Sequence, residues 1–273
     1  MENIGSLDVV GIGLRAGGDV CVSAKAYIEQ ADIVLIVVPD SFSKNWLVSL
    51  NSNIQDLTNL YQQGKSRAKT YHEMTQKIID EVKSGQKVCA VFYGHPGVFV
   101  NASHQAIKSL KSDGFRAQML PGISAEDWLF SDLNIDPGTH GCMSIEATQF
   151  LLYERPHDIY AYTILWQIGL IGDHTLTLSK TNQYHQGLTL LKEKLLRDFP
   201  QDHELTIYEA STLSILSPRI ERVSLGQLTE IKLTAASTLI IPPVSDAPFN
   251  AEVMAALNLS NNDIKEPLNI DEQ

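Results

Sequence analysis

The sequence has few basic residues, few cysteines and no long apolar run. Its 273 residues include 21 Lys and Arg against 32 Asp and Glu, which gives a formal net charge of -11. An acidic chain repels phosphate backbones, so we expect no nucleic-acid partner. The longest clear apolar run, Ile33 to Val38, is far shorter than the roughly 20 residues of a membrane helix, so we expect no membrane partner.

The cysteines are few and widely spaced. They are Cys21, Cys89 and Cys142. Such cysteines are typical of buried, reduced thiols rather than of a disulfide framework or a zinc site. His72 and Glu73 begin a zinc-protease pattern, but Gln76 stands where the second histidine would be. The residues Met1 to Ile4 lack the basic and apolar regions of a signal peptide. We expect a cytoplasmic protein without a bound metal.

Strands and helices alternate in the first part of the chain. Apolar runs predict strands at 7–11, 33–38, 87–92 and 116–120, and helical periodicity predicts helices at 23–30, 66–83 and 102–111. Ser23 is the predicted N-cap of the first helix. Tyr71, Met74, Ile78 and Val82 form the apolar stripe of the second. The alternation predicts a parallel sheet covered on both faces.

A second unit begins near Pro121, and its alternation is less regular. A helix opens at Ser124, and another is predicted at 187–198. Predicted strands lie at 143–147, 161–167, 174–178, 205–210 and 238–241, a pattern that favours a mixed sheet. We therefore predict an α/β protein with domains at 1–120 and 121–245. A short tail, 246–273, carries a turn or two of helix around 251–257.

The first glycine-rich turn, Gly11 to Gly18, permits two interpretations from spacing. Gly17 stands four residues after Gly13, where a dinucleotide fingerprint would have its third glycine after three. Asp40 is then a loose candidate for a ribose-binding carboxylate. The alternative is a tight turn between strand and helix without a ligand. A nicotinamide enzyme is therefore only weakly indicated.

The segment Tyr93 to Phe99 is the most informative in the chain. It follows a buried strand and contains Gly94, Pro96 and Gly97, so the chain stops, turns tightly and exposes its backbone. In α/β sheets, small ligands bind at the carboxyl ends of strands. A turn that binds nothing is the other interpretation of this pattern.

Together with Pro121 to Asp127, this segment resembles the tetrapyrrole-methylase-like class of S-adenosylmethionine-dependent methyltransferases, also called class III. Within that class, the chain looks most like the borosin peptide backbone α-N-methyltransferases, over roughly residues 7 to 245. The resemblance implies a two-domain fold with the methyl donor in the interdomain cleft, where the first loop borders the acceptor. That loop, Leu14 to Asp19, departs from the commoner Gly-Pro-Gly-Asp form, which counts against a plain tetrapyrrole methylase.

The resemblance also implies the contacts of S-adenosylmethionine. Carried over residue by residue, they are Tyr93, His95, Val98, Phe99, Ser124, Ala125, Gln167, Tyr208, Ser237 and Thr238. Two of these residues have other interpretations. His95, where most of the class carries Asp, is also consistent with a turn or cap histidine, and Ser124 with a helix N-cap that has Asp127 at its third helical position.

Tyr61, Arg67, Tyr71 and Tyr93 resemble the catalytic group of borosin methyltransferases. On spacing alone, Arg67 and Tyr71 share one helix face, where Tyr71 is more typical of the edge of the core and Arg67 of a solvated surface charge. A peptide nitrogen is a poor nucleophile because its lone pair is delocalised, so it must lose a proton or acquire imidate character. Arg67 suits oxyanion stabilisation and favours a Tyr71 phenolate as base, while Tyr61 and Tyr93 suit donation to the imidate oxygen.

The resemblance implies iterative N-methylation of backbone amides in a ribosomally made precursor peptide, by a homodimer. Because only about thirty residues follow the last predicted strand, we expect the precursor to be a separate chain with a helical leader, acting in trans. Two precursors on one dimer would make a heterotetramer. Two alternatives stay open: a tetrapyrrole C-methyltransferase, and a non-catalytic protein that binds peptide or nucleotide.

Overall fold

The computed structural model describes residues 5–62, 64–173, 181–260 and 263, and it contains two five-stranded sheets. The first sheet has the order β3-β2-β4-β1-β5, and every neighbouring pair in it is parallel. Its strands are β1 (Ser6–Gly11), β2 (Ile33–Val37), β3 (Ile54–Asp56), β4 (Lys87–Phe92) and β5 (Arg116–Met119). The predicted parallel sheet is confirmed, and β3 is an additional strand.

Helices cover both faces of this sheet. They are α1 (Val22–Gln30), α2 (Ser41–Leu50), α3 (Arg67–Lys83) and α4 (Asn101–Ser112). Alternate residues of β1 enter opposite cores: Leu7 and Val9 pack with α3 and α4, while Val10 lies in the cluster that includes α1 and α2. This alternation is the two-residue period of a strand that is buried on both faces.

The start of α3 is placed by its cap and its apolar stripe. The Ser66 hydroxyl accepts a hydrogen bond from the Lys69 amide at 3.3 Å. Met74, Ile78 and Val82 are buried against the sheet, which confirms the predicted stripe. The first turns of the helix therefore lie at the carboxyl edge of the sheet, because α3 runs antiparallel to the strands that flank it.

The second sheet has the order β6-β7-β10-β8-β9. Its strands are β6 (Cys142–Glu146), β7 (Tyr162–Trp166), β8 (Glu204–Glu209), β9 (Arg219–Ser224) and β10 (Thr238–Ile241). The β6–β7 pair is parallel and the other pairs are antiparallel, which confirms the predicted mixed sheet. The strand predicted at 174–178 lies outside the described residues, and β9 was not predicted.

The helices of this part are shorter on average. They are α5 (Ala125–Leu133), α6 (Pro137–His140), α7 (Ala147–Leu152), α8 (Thr181–Leu195) and α9 (Ala251–Ala256). A capping box between Ser124 and Asp127 starts α5, as the pattern indicates. The helix α9 confirms the helical turns predicted in the tail, whereas α6 and α7 were not predicted.

Two predictions about the first helix and the cysteines are wrong. The N-cap of α1 is Cys21, whose Sγ accepts from the Ala24 amide at 3.4 Å, so Ser23 lies inside the first turn. Because Cys21 occupies this cap, it is exposed; Cys142 is half-buried, and only Cys89 is fully buried. Asp40 caps α2 by accepting from the Ser43 amide at 2.8 Å, which gives this carboxylate a structural role.

The change from one sheet to the other falls between Met119, where β5 ends, and Ala125, where α5 begins. That the two halves are separate domains divided at residue 121, with a tail from 246, stays a prediction. Among the described residues, none of the helices combines the length and the apolar character needed to cross a bilayer.

Candidate functional site

Four glycines bring the carboxyl ends of β1, β4 and β5 into close contact. The Gly94 amide donates to the Gly13 carbonyl at 2.7 Å. A Cβ on Gly11 would lie 2.2 Å from the Gly94 carbonyl oxygen, and a Cβ on Gly122 would lie 3.2 Å from the Gly11 Cα. Gly94 has a φ of +64°, and a Cβ there would meet no described atom within 4 Å. The Gly94 backbone thus faces open space at the sheet edge, where a ligand can approach.

The turn after β4 exposes the side chains that were predicted to bind a ligand. Tyr93 is 48% exposed, Val98 41% and Phe99 50%. The Phe99 backbone lies in the left-handed region at φ 57°, and its ring lies 6.2 Å from that of Trp166 in the second half. His95 Nδ1 accepts from the Gly97 amide at 3.0 Å, so this histidine also stabilises the turn. A bulky residue held at positive φ is strained, and such strain is concentrated at functional sites.

A cavity of about 760 Å³ lies between the two halves, beside this turn. Four of the predicted site residues line it: Arg67, Tyr71, Phe99 and Gln167. The i, i+4 spacing therefore places Arg67 and Tyr71 on the cavity side of α3, not on a solvated face. Residues from β6 and α7 complete the wall, including Ser144, Glu146 and Leu152.

Arg67 joins the two halves inside this cavity. Its Nη1 donates to Gln167 Oε1 at 3.1 Å, and its Nη2 donates to the Asp173 carbonyl oxygen at 3.0 Å. Its Nε is buried and has no hydrogen-bond partner among the described residues. Gln167 has a φ of 58°, so it is a second non-glycine residue held in the left-handed region at the cavity. A buried donor without a partner points to a ligand that would accept from it.

The charge of Arg67 influences two tyrosines, Tyr61 and Tyr93, and Tyr71 influences both of them as well. Burial raises the pKa of Tyr61 above its usual value. The electrostatic effects of Tyr71 and Tyr93 and a hydrogen bond with Tyr71 raise this pKa further, while the charge of Arg67 opposes the shift. Burial also raises the pKa of Tyr93, although part of its ring is exposed, and Tyr71 adds to this shift. Both hydroxyls therefore stay protonated at neutral pH and act as hydrogen-bond donors.

The predicted residues of the second sheet meet at one end of β7, β8 and β10. Antiparallel pairing of Leu239 with Leu165 places Ser237 beside Gln167, and the Ile168 amide donates to the Ser237 carbonyl at 3.1 Å. Thr238 pairs with Tyr208 on the next strand. These residues pack beside α5, the helix that Ser124 and Ala125 begin.

Several of their polar side chains already have partners. The Ser237 hydroxyl donates to Glu209 at 2.5 Å, and the Tyr208 hydroxyl donates to Asp132 at 2.7 Å. Ser124 is held in its capping box. Burial, together with Asp132, raises the pKa of Tyr208. These side chains are fixed by internal bonds, and none of them lines the cavity described above.

A contact between the halves was missed in the sequence. Asp19 Oδ2 accepts from the Leu14 and Arg15 amides at 3.0 Å each and from Trp128 Nε1 at 2.8 Å. The Arg15 guanidinium lies 3.7 Å from the centre of the Trp128 ring. Asp19, Arg15 and Trp128 thus tie the first glycine loop to α5. Arg15 and Trp128 are 113 positions apart in the numbered sequence, so no local pattern could have linked them.

Titratable groups at the cavity were also missed. They are His104, Glu146, Arg155 and Asp173. Each lies alone in its segment of the sequence, without a motif to single it out. Among the described residues, no group of three or more His, Cys, Asp or Glu side chains is arranged to hold a metal ion.

Comparisons with known proteins agree on one family. The family described as tetrapyrrole (corrin/porphyrin) methylases matches residues 6–229. The chain is 40% identical over 262 residues to the methyltransferase/ribosomally synthesized cyclic peptide gymnopeptides precursor of Gymnopus fusipes, covering 94% of this chain and 62% of that one. It is 36% identical to a methyltransferase/type I borosin cyclic peptide precursor of Coprinopsis marcescibilis, covering 97% and 69%.

Several other curated relatives are also longer than this chain, which spans 61% or 62% of their length. Among solved structures, the uroporphyrin-III-C-methyltransferase of Thermus thermophilus superposes with a TM-score of 0.63 at 17% identity, covering 94% of this chain and all of that one. At that identity, the likeness concerns the fold alone. The expected fold is confirmed.

Proposed function

The chain belongs to the tetrapyrrole (corrin/porphyrin) methylase family, and from this membership we propose that it is an S-adenosylmethionine-dependent methyltransferase that N-methylates backbone amides of a peptide. The names of its relatives support the acceptor class, because they join a methyltransferase to a cyclic peptide precursor. They do not favour the tetrapyrrole alternative, whose support is a shared fold.

The observation that carries the proposal is the position of Arg67. A guanidinium whose buried Nε has no partner in the described part of the chain lies in a cavity between the halves, and its charge reaches tyrosine side chains. Simple binding of a neutral peptide does not require this combination. Deprotonation of an amide does, because negative charge then develops on the peptide oxygen and must be stabilised in a partly desolvated site.

Each residue has a role in that chemistry. Tyr71, one helical turn after Arg67, is the general base and accepts the amide proton at its Oη. Tyr61 and Tyr93 stay protonated, since burial raises the pKa of each, and they donate to the developing imidate oxygen. Arg67 stabilises the anionic charge and cannot itself lose a proton. S-adenosylmethionine, when bound, would supply the methyl carbon, to which the amide nitrogen would bond as the carbon–sulfur bond breaks and the demethylated thioether leaves.

The donor is held by the Tyr93–Phe99 turn and the facing end of the second sheet. The open space beside Gly94 and the exposed turn fit a ligand of this kind. His95, Val98 and Phe99 line it on one side. From the second sheet, the contacts come from Ser124, Ala125, Gln167, Tyr208, Ser237 and Thr238. Because Ser124, Tyr208 and Ser237 are bonded internally, their backbone groups and apolar surfaces make the contact.

The acceptor is a precursor peptide with a helical leader, acting in trans on a homodimer, so that two precursors complete a heterotetramer. No described residue after β10 lines the cavity, which leaves it open to a peptide from another chain. Docking of the leader would raise the effective concentration of the methylated segment and allow iterative transfer. Three unpaired cysteines are typical of a reducing compartment, and we place the reaction in the cytoplasm.

Mass spectrometry of the enzyme with S-adenosylmethionine and the peptide encoded beside its gene tests the proposal. We expect several added methyl groups on the peptide and none on the enzyme. Arg67→Ala and Tyr71→Phe should reduce transfer at least 100-fold, about the contribution of one acid–base group, while calorimetry shows unchanged donor affinity. Lys69→Ala, on the exposed side of the same helix turn, is the control. Near-normal turnover by both variants would contradict the mechanism.

A further inference from the structure

The strand β6 lies at the edge of the second sheet, beside the candidate active site. Its only strand partner among the described residues is β7. Ser144, Ile145 and Glu146 from β6 line the same cavity as Arg67 and Tyr71. The cavity is therefore bounded on one side by a strand whose outer edge pairs with no strand of the described part of the chain, and such an edge is a template for pairing with another chain.

The register shows which backbone groups face outward. Tyr162 pairs with Cys142, and its amide donates to the Gly141 carbonyl at 3.2 Å. In a parallel pair, this means that the backbone groups of Gly141, Met143 and Ile145 face β7. The amides and carbonyls of Cys142, Ser144 and Glu146 therefore face away from it. Ser144 is exposed, so its outward groups are accessible from the cavity.

We propose that the acceptor peptide binds as an added strand along the end of β6 that lines the cavity, Ser144 to Glu146, with its backbone hydrogen-bonded to Ser144 and not to Cys142; this rests on the function proposed above. A pocket that recognises side chains alone would not hold successive segments of a peptide as the peptide advances through the site. Backbone pairing holds any extended segment, since every residue except proline offers the same groups. Amides of alternate residues then face β6, and those between them face into the cavity that Arg67 and Tyr71 line.

The product of the reaction alters this pairing. An N-methylated amide has lost its N–H and cannot donate to a carbonyl of β6, and its methyl group occupies the space of the hydrogen bond. A methylated residue is therefore accepted where its nitrogen faces the cavity and rejected where it faces β6. We infer that the peptide advances in steps of two residues during one encounter, and that methyl groups added in one encounter are separated by an even number of positions.

Proline substitutions on the edge test the pairing. Ser144→Pro removes the outward N–H and leaves the β6–β7 bonds in place, because edge positions tolerate proline where the N–H faces outward. Ser144→Ala controls for the side chain, which accepts from Trp166 Nε1 at 2.8 Å. Cys142→Pro is the matched proline control, since its N–H also faces outward but Cys142 does not line the cavity.

The probes are fluorescein-labelled synthetic segments of about ten residues, long enough to cover β6, tiled along the peptide encoded beside the gene. Fluorescence anisotropy should show that Ser144→Pro raises the Kd of the tightest-binding segment about tenfold, because the variant loses one hydrogen bond and the close approach of the two strands. Ser144→Ala and Cys142→Pro should change its Kd less than twofold. Donor affinity should not change. Equal weakening by Cys142→Pro, no weakening by Ser144→Pro, or the absence of any binding segment would overturn the proposal.

A second readout uses single N-methyl groups built into that segment. We expect affinity to alternate with position: methyl groups of one parity weaken binding about tenfold and those of the other do not. Uniform weakening, or none, would overturn strand addition. If the segment binds with this alternation but receives no methyl group from S-adenosylmethionine, the pairing stands and the proposed activity fails, so the two failures are distinguishable.

Discussion

The two sheets differ in how firmly their strands are enclosed, and the reactive side chains belong to the firmer one. All residues of β1, an inner strand of the first sheet, are buried, whereas the edge strands of the second sheet are more open: β6 is half-exposed, and half of the residues of β9 are exposed. Arg67 and Tyr71 begin a helix that packs on the first sheet, while the second sheet contributes β6, an edge strand without a second strand partner in the described ranges. A rigid half thus positions the reactive groups, and a looser half offers the surface along which a peptide can move.

In the described ranges, three of the contacts between the halves involve side chains named above. Arg67 bonds to Gln167 and the Asp173 carbonyl, Phe99 lies against Trp166, and Asp19 holds Trp128. Each contact pairs a first-half group with a second-half group. Because the contacts surround the proposed site, their loss should affect alignment of the halves before it affects either core.

The largest loss of stability is expected at Gly11, where the backbone packing of the first half leaves no space for a side chain. In Gly11→Ala, the new Cβ would lie 2.2 Å from the Gly94 carbonyl and 2.7 Å from Pro96 Cδ, so backbone must shift. We expect the free energy of unfolding to fall by about 3 kcal/mol and donor binding to be lost. The control is Gly18→Ala, where the nearest atom is 3.6 Å away and the change should stay within about 0.5 kcal/mol. Equal urea midpoints for the two variants would contradict the close packing.

The same difference explains what could be predicted from the sequence. The β4 run of Lys87 to Phe92 and the stripe of α3 are local patterns, and both were predicted within one residue. The exposed strand β9 carries alternating charges in Arg219–Ser224 instead of an apolar run, so nothing marked it as a strand. Local patterns report burial, and partly exposed elements therefore lack a signal.

The candidate site shows the same limit. The spacing of Arg67 and Tyr71 predicts a shared face, but only the fold shows that this face lines a cavity. The contact of Arg67 with Gln167 spans 100 positions, and that of Trp128 with Asp19 spans 109. Such pairs depend on how the two sheets are placed against each other. Side-chain contacts between the halves accompany this placement, and periodicity does not reveal it.

The next effect tests the contact between the first loop and α5. Asp19→Ala removes three hydrogen bonds to one buried carboxylate oxygen, and we expect it to cost about 2–3 kcal/mol of stability. Trp128→Phe removes only one of these bonds and should cost about 1 kcal/mol. Chemical denaturation measures both. If the two variants lose the same stability, the loop is not held by Asp19 in the manner described.

A smaller loss of stability is expected for Tyr208→Phe, a variant that distinguishes a structural role of the Tyr208 hydroxyl from a role in ligand binding. Tyr208→Phe removes the hydroxyl that donates to Asp132 at 2.7 Å, and about 1 kcal/mol of stability should be lost. Because this hydroxyl is bonded internally, donor affinity by calorimetry should not change. Tyr153→Phe, at an exposed tyrosine, serves as the control for stability. A clear loss of donor affinity in Tyr208→Phe would mean that the hydroxyl itself contacts the donor.

The smallest effect is a pH dependence of stability, which we expect from a histidine in the core of the second half. His157 lies between Phe150 and Phe199, and its Nε2 is 3.0 Å from Thr163 Oγ1. Burial lowers the pKa of His157 below the ordinary 6.5, although Asp198 and Asp158 oppose the shift. The folded protein therefore favours the neutral ring. Below pH 6.5 the unfolded chain binds more protons at this site, so the stabilisation present above 6.5 is lost as pH falls through the folded pKa.

Urea unfolding of the wild type between about pH 7 and about pH 5 should therefore show a decline in stability to which His157 contributes. In His157→Gln the decline should be shallower, because the glutamine does not titrate, while the exposed His185→Gln should follow the wild type. Lys194, whose charge also lowers the pKa of His157, provides a further check, since Lys194→Met should weaken the wild-type decline. A steeper decline in His157→Gln would reverse the sign and show that the protonated ring, paired with Asp198, is the form that the fold stabilises.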